Sequence, residues 1–236
     1  MSREEILLYL KECIFDGELS DQNFYSKIIN FLPKNVNWDA GVTKLVLTFP
    51  ETDFVIKIPF NGESRTVCKK DDNGRYIFDE NGDYIIDEEE SSFLPFEGAF
   101  VKEEEDAWNY CQAELEMYQK AIEDEVEDFL LQIDIFAVIN EHPIYFQKKA
   151  DTFSSSRDWD NYDEDTVKDS RKKCREKEVK CFNAAWISDA FEFYNNEEQV
   201  CNFLAFATSW LEDLHSDNVG YVGNKPVIID YGGFND

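Results

Sequence analysis

Histidine and methionine occur only twice each in 236 residues, and bases are heavily outnumbered, with 23 Lys and Arg against 51 Asp and Glu. The resulting net charge of −28 repels phosphate backbones, which excludes a general binder of nucleic acid or anionic membranes. Long apolar runs are missing too. None approaches the roughly 18–20 residues that span a bilayer, and Met1 to Leu10 carries Glu4 and Glu5 where a signal peptide has its apolar centre. These features predict a soluble chain of the cytoplasm with no membrane partner. The six cysteines (Cys13, Cys68, Cys111, Cys174, Cys181 and Cys201) contain no CxxC pair, and only His142 and His215 exist to join them, so a structural zinc site is not expected. Cys111 and Cys201 fall among apolar residues at helical spacing and read as small, inert core residues in a reducing compartment. What the chain does have is 43% apolar residues, enough to bury a substantial core and to set aside a disordered tail.

Apolar spacing predicts helices over 3–15 and 22–32, the second closed by Pro33. From Lys44 the pattern changes to β: Leu45 to Phe49, a turn at Pro50 to Asp53, then Phe54-Val55-Ile56-Lys57-Ile58. Residues 73–80 and 81–88 repeat at a period of eight, each opening with Asn-Gly, which predicts a small solvated β-meander; no register supplies the ligand spacing of an EF-hand. A helix is expected over 103–124, with Trp108, Cys111, Leu115, Tyr118 and Ile122 on its buried stripe. Strands follow at Ile133 to Ile139 and Ile144 to Lys148, joined by a turn at Asn140 to Pro143. Residues 151–180 are polar and read as an insertion, acidic first and basic later. A helix from Glu197 to about Glu212 and a short strand at Val227 to Ile229 complete the chain.

The stretch Leu211-Glu212-Asp213-Leu214-His215-Ser216-Asp217-Asn218 precedes Pro226-Val227-Ile228-Ile229-Asp230-Tyr231-Gly232. An Asp followed five residues later by Asn, then a second Asp leaving an apolar strand, suits phosphoryl transfer, where one carboxylate orients the attacking hydroxyl and the other two groups hold magnesium. The set resembles the catalytic loop and DFG motif of the protein-kinase-like superfamily, which includes the aminoglycoside phosphotransferases. The resemblance makes Asp213 the catalytic Asp, Asn218 and Asp230 the metal ligands, and Asp230-Tyr231-Gly232 the DFG triplet. Upstream, Val55-Ile56-Lys57 resembles the VAIK strand, with Lys57 on the α and β phosphates. A Lys inside an apolar strand is costly unless paired, which separately asks for a carboxylate or phosphate beside Lys57. At about 100° per residue, Glu114 lies about 40° from Tyr118 while Glu116 lies about 160° away, so Glu114 is the expected partner of Lys57. By the same resemblance His215 stands where protein kinases carry a Lys on the γ-phosphate. Gly41 and Thr43 stand in a reduced phosphate loop, and Gln147, Lys148 and Lys149 stand among the nucleotide contacts.

The resemblance implies an α+β, two-lobe fold. Residues 1–32 form a helical extension; 33–148 an antiparallel-sheet N-lobe with an αC-like helix and an acidic β-insertion at about 61–100; and 149–236 a reduced, mainly helical C-lobe. It implies an ATP- and magnesium-dependent phosphotransferase acting on a protein or small molecule, most similar to the compact kinases of phages and mobile elements. Departures are plain: one Gly in place of GxGxxG, Leu211-Glu212 in place of His-Arg, and Asp236 only six residues beyond Asp230, with no activation segment or substrate-docking subdomain between. The alternative is an inactive kinase-like protein that docks a basic partner through its acidic surface, DNA mimicry being a special case. A globule of this length spans roughly 45 Å, over which duplex DNA carries about 26 charges. It spreads its charge over more surface than DNA does, and bases such as Lys168, Arg171, Lys172 and Arg175 interrupt it, which ranks mimicry below catalysis.

Overall fold

The structure is a computed structural model describing residues 1–12, 36–41, 43–60, 63–65, 68–70, 75–77, 85, 92–94, 100–102, 104, 108–153, 164–211 and 214–232. The second predicted helix (22–32), most of the repeat at 73–88, and Asp213 lie outside these residues. The architecture is α+β. Five strands, β1 (Asn37–Ala40), β2 (Lys44–Thr48), β3 (Phe54–Pro59), β6 (Ile133–Ile139) and β7 (His142–Lys148), form an antiparallel sheet in the order β1-β2-β3-β7-β6. A short pair joins β4 (Glu63–Arg65) to β5 (Ser92–Leu94), and a three-stranded sheet runs β10 (Lys225–Ile228), β9 (Val219–Val222), β8 (Asp151–Thr152). The helices are α1 (Arg3–Leu10), α2 (Tyr110–Glu123), α3 (Glu164–Glu176), α4 (Ala184–Tyr194) and α5 (Glu197–Trp210). Among the described residues no helix is long and apolar enough to cross a membrane.

By packing, the chain divides into two compact units. The first comprises Met1–Pro50, Ile58–Asn109 and Ala137–Pro143; the second comprises Glu51–Lys57, Tyr110–Phe136 and Ile144–Asp236. In the first unit α1 begins on a capping box, the Ser2 hydroxyl accepting from Glu5 N–H and the Glu5 carboxylate accepting from Ser2 N–H. Ile6, Leu10, Leu45, Leu47 and Phe49 are buried there, and Tyr9 meets Phe49 edge-on at 5.8 Å. The turn after β6 is tighter than its sequence suggests. Asn140 (φ 49°) and Glu141 (φ 71°) both take left-handed conformations, a two-residue hairpin geometry that lets β7 begin at His142, ahead of the expected Ile144.

The second unit carries one continuous core, with Phe129, Tyr145, Phe153, Trp186 and Phe203 wholly buried. Phe129 stacks on Phe203 at 4.4 Å, and Trp186 Nε1 donates to the Gly220 carbonyl at 3.1 Å, satisfying the one polar atom of a buried indole. Gly220 admits no side chain, because a Cβ would run into the Asp151 carbonyl of β8. Helices α4 and α5 start on Asn caps, Asn183 accepting from Trp186 N–H at 3.1 Å and Asn196 from Gln199 N–H at 3.2 Å.

Two expectations need correction here. The polar segment 151–180 is not an insertion throughout: α3 packs against α4 and buries Ser170 and Cys174, while its bases stay on the outer face. The buried stripe of α2 is also rotated from the expected one. It runs through Cys111, Glu114 and Ala121, whereas Trp108 precedes the helix and, like Ile122, is exposed.

Candidate functional site

The site is built on β3, β7, α2 and the segment leaving β10, and its residues Lys57, Glu114, Tyr145, Gln147 and Ile229 to Gly232 belong to the second unit. The pairing of Lys57 with Tyr145 and of Val55 with Gln147 places these four residues on one face of the β3–β7 ribbon, since side chains alternate between faces along a strand. The other face is aromatic: Phe54, Phe136 and Phe146 stand about 6 Å apart, centroid to centroid. The polar face meets α2. Tyr145 Oη donates to Gln112 Oε1 at 3.2 Å, and Lys57 Nζ donates to Glu114 Oε2 at 2.8 Å. Both charged side chains of that ion pair are buried, at 4% and 0% exposure. Charge this deep is stable only with a partner, because each ion gives up its hydration shell.

The ammonium also reaches the segment that carries Asp230. Lys57 Nζ donates to the Ile229 carbonyl at 3.3 Å, and Gln147 Nε2 donates to the same carbonyl at 3.1 Å and to the Leu131 carbonyl at 2.8 Å. Tyr231 Oη donates to Leu131 O at 2.8 Å. Its phenol is held well above the ordinary tyrosine range, first by burial and then by the neighbouring Glu114 carboxylate, so it stays a protonated donor. Asn218 ties the loop after α5 to the same segment: its carbonyl accepts from Ile229 N–H at 2.7 Å and from Asp230 N–H at 3.3 Å. Gly232 then lies against α2 so closely that a Cβ would meet the Tyr110 carbonyl and Glu114 Cγ. The Tyr-Gly after Asp230 is thus a packing requirement, with the phenol and the missing side chain both seating this segment beside the ion pair.

The structure therefore brings Lys57, Glu114, Asn218 and Asp230 to one neighbourhood through the Ile229 backbone. It leaves others elsewhere. Gln147 is buried in the same neighbourhood, but its amide nitrogen is committed to two carbonyls, a brace between strands. Lys148 is exposed, and Lys149 donates from Nζ to Thr52 O and from its backbone N–H to Asp53 O (2.8 Å), tying down the turn before β3. Gly41 and Thr43 belong to the first unit, where Gly41 N–H donates to Lys44 O (3.1 Å) and Thr43 O accepts from Phe60 N–H (2.9 Å). His215 is exposed, and its Nδ1 accepts from Asp217 N–H at 3.2 Å, which assigns the neutral ring's proton to Nε2. The sequence reading missed Tyr231 and Gln147 as braces. The signal was present in the buried-strand pattern of Ile144 to Lys148, where a polar Gln interrupts apolar residues and must find hydrogen bonds.

Among the described residues no three His, Cys, Asp or Glu side chains cluster closely enough to hold a metal by themselves. Asn218 and Asp230 offer one carboxamide and one carboxylate. That hard-oxygen set fits magnesium, which retains waters and commonly takes only one or two protein ligands beside substrate phosphates. No family model, curated protein or solved structure matches the chain.

Proposed function

We propose that the chain is an ATP- and magnesium-dependent phosphotransferase with a protein-kinase-like arrangement of parts. The observation that carries this reading is the buried Lys57–Glu114 ion pair set against the carbonyl of Ile229, the residue immediately before Asp230. In this assignment Glu114 fixes the Lys57 ammonium so that it meets the α and β phosphates without reorganising, and Asn218 and Asp230 hold the metal. Magnesium, when bound, supplies the charge neutralisation that lets a phosphoryl group leave the nucleotide. Asp213 orients the acceptor hydroxyl, and His215, exposed at the loop, meets the transferring end of the nucleotide. The acceptor is a protein or small-molecule hydroxyl. A net charge of −28 does not oppose nucleotide entry, because at physiological salt the screening length is about 8 Å and only charges near the site act.

The test is thermal unfolding with and without Mg–ATP. A ligand at 100 times its Kd stabilises the native state by about 2.7 kcal/mol, which for a chain of this size is roughly 5–10 °C. Wild type should show that rise, and Lys57→Ala and Asp230→Asn should not. An equal rise in Asp230→Asn would remove the metal assignment, and no rise in folded wild type would remove the nucleotide. The strong acidity favours a second reading, a binding protein for a basic partner; strongly salt-sensitive inhibition of a DNA-binding enzyme, without nucleotide, would move the account there.

A further inference from the structure

In a chain whose net charge is −28, helix α3 of the second unit presents a run of bases to solvent. Lys168, Arg171, Lys172 and Arg175 stand at i, i+3, i+4 and i+7, which at about 100° per residue puts all four within an arc of about 100°. All four are exposed. The opposite side of the helix is the packed one, where α3 meets α4 and buries Ser170 and Cys174. One edge of the basic stripe is acidic, with Asp165, Asp169 and Glu176 lying about 60–100° round from Lys168.

The four bases are not equivalent. Lys168 Nζ lies 3.0 Å from Glu164 Oε2 and 3.6 Å from Asp165 Oδ1, and Lys172 Nζ lies 3.8 Å from Glu176 Oε1. Nearby, Lys173 pairs with Asp169 at 3.1 Å and reaches over the Phe191 ring of α4. Arg171 and Arg175 ion-pair with no carboxylate among the described residues. Instead Arg175 Nε donates to the Arg171 carbonyl at 3.3 Å, so the cation stays beside a neighbour of its own sign. The helix dipole favours a cation at Arg175, in the last turn, but not at Arg171, and like charges at i and i+4 work against a helix. The positive charge that the fold leaves unused is therefore on these two guanidiniums, about 6 Å apart along the axis.

We propose that the outer face of α3 is a docking surface for an acidic protein segment, one rich in Asp and Glu, held chiefly by Arg171 and Arg175. A guanidinium presents a planar fork of donors that meets a carboxylate with two bonds at once. Carboxylates at i and i+4 of a partner helix stand about 6 Å apart, and those at i and i+2 of an extended segment about 6–7 Å, so either matches the two arginines. Lys168 and Lys172 exchange one acid partner for another and add little. Width selects the occupant. A single helix, about 10–12 Å across, stays on the stripe, whereas a nucleic-acid duplex carries its phosphates out over Asp165, Asp169 and Glu176. A second copy of the chain brings another −28 with it, and that repulsion opposes pairing. No residue of α3 belongs to the phosphotransfer site, so the proposal stands apart from that reading.

The test is fluorescence anisotropy of a labelled deca-glutamate peptide titrated with the intact chain at neutral pH and about 50 mM salt, where screening is weak. The charge of −28 opposes this probe overall, so binding reports a local basic face. Wild type should bind saturably, and less tightly as salt is raised. Arg171→Ala and Arg175→Ala should each weaken binding about threefold, the scale of an exposed ion pair, and Arg171→Glu/Arg175→Glu at least about tenfold. Lys168→Ala and Lys172→Ala should each cost less than about twofold, because those charges are already met on the helix. If charge reversal disturbs α3 by circular dichroism, Arg171→Ala/Arg175→Ala, made with the best helix former, carries the same comparison. Failure of folded wild type to bind, a loss from the lysine variants as large as from the arginine ones, tighter binding of single-stranded DNA of equal charge, or a wild-type dimer in sedimentation that the arginine variants dissolve would each overturn the proposal.

Discussion

Removing the Lys57–Glu114 pair in halves and then whole gives a measurable sign change. Both side chains are buried, and the bond between them is 2.8 Å long. Glu114→Gln leaves an ammonium in the core without its counter-charge, and Lys57→Met leaves a carboxylate in the same state. Breaking a buried pair from one side costs about 3–5 kcal/mol. Glu114→Gln and Lys57→Met should therefore each fall in that range. The double variant Lys57→Met/Glu114→Leu has no charge left to desolvate and should lie within about 2 kcal/mol of wild type, for a coupling energy of several kcal/mol. Urea unfolding followed by fluorescence measures all four corners of the cycle. Singles that cost under 1 kcal/mol, or a double variant that loses the sum of the singles, would refute the burial argument. The double variant should still fail to bind nucleotide, which separates the pair's structural role from its functional one.

Tyr231→Phe removes one hydrogen bond to Leu131 O, which keeps the one from Gln147, so it should cost about 1 kcal/mol by chemical denaturation. Gly232→Ala places a methyl group against the Tyr110 backbone and Glu114, and overpacking of that kind should cost about 1–3 kcal/mol and weaken Mg–ATP binding together with stability. In the first unit His142 Nδ1 bonds the Val101 carbonyl at 3.0 Å, and burial lowers its pKa below 6.5. The unfolded chain therefore binds this proton more readily than the folded one; the contribution is complete above pH 6.5 and is lost as pH falls through the lowered value. His142→Gln should flatten the decline in stability as the pH falls below 6.5, and an unchanged slope would contradict it. Asn183→Ala removes the cap on α4, where the Asn accepts from Trp186 N–H, and should lower stability by about 1 kcal/mol.

What could be read from the residues was whatever a local period or a single misplaced charge announces. The strand Ile133–Ile139 has the expected bounds because five large apolar residues sit between an acidic segment and an Asn turn. Lys57 stood out as a cation in an apolar strand, and helix geometry named Glu114. The stripe used for that choice was nonetheless offset: Glu114 stands about 20° from Ala121 and about 60° from Cys111, inside the buried face. A helix buried on two sides hides its period, which is why α4, with Ala184, Ala185, Trp186 and Ile187 all buried, gave no stripe to read. Helix α3 failed for the opposite reason. It buries only Ser170 and Cys174, so its sequence looks like a solvated run of charges. Strand β9 contains Gly220, whose missing side chain is required by the Asp151 carbonyl and weakens any strand signal. The fold-back after α3, which returns Val179 N–H to the Cys174 carbonyl, depends on one left-handed residue, Glu178, a type that does not advertise such a turn.

Isothermal titration of the folded wild-type chain with ATP, in magnesium and again in chelator, addresses the site most directly. One saturable event per chain in magnesium, at least tenfold weaker in chelator and lost in Asp230→Asn, is the predicted result. Absence of binding in magnesium by a chain whose Lys57–Glu114 cycle shows the pair intact would contradict the phosphotransferase account.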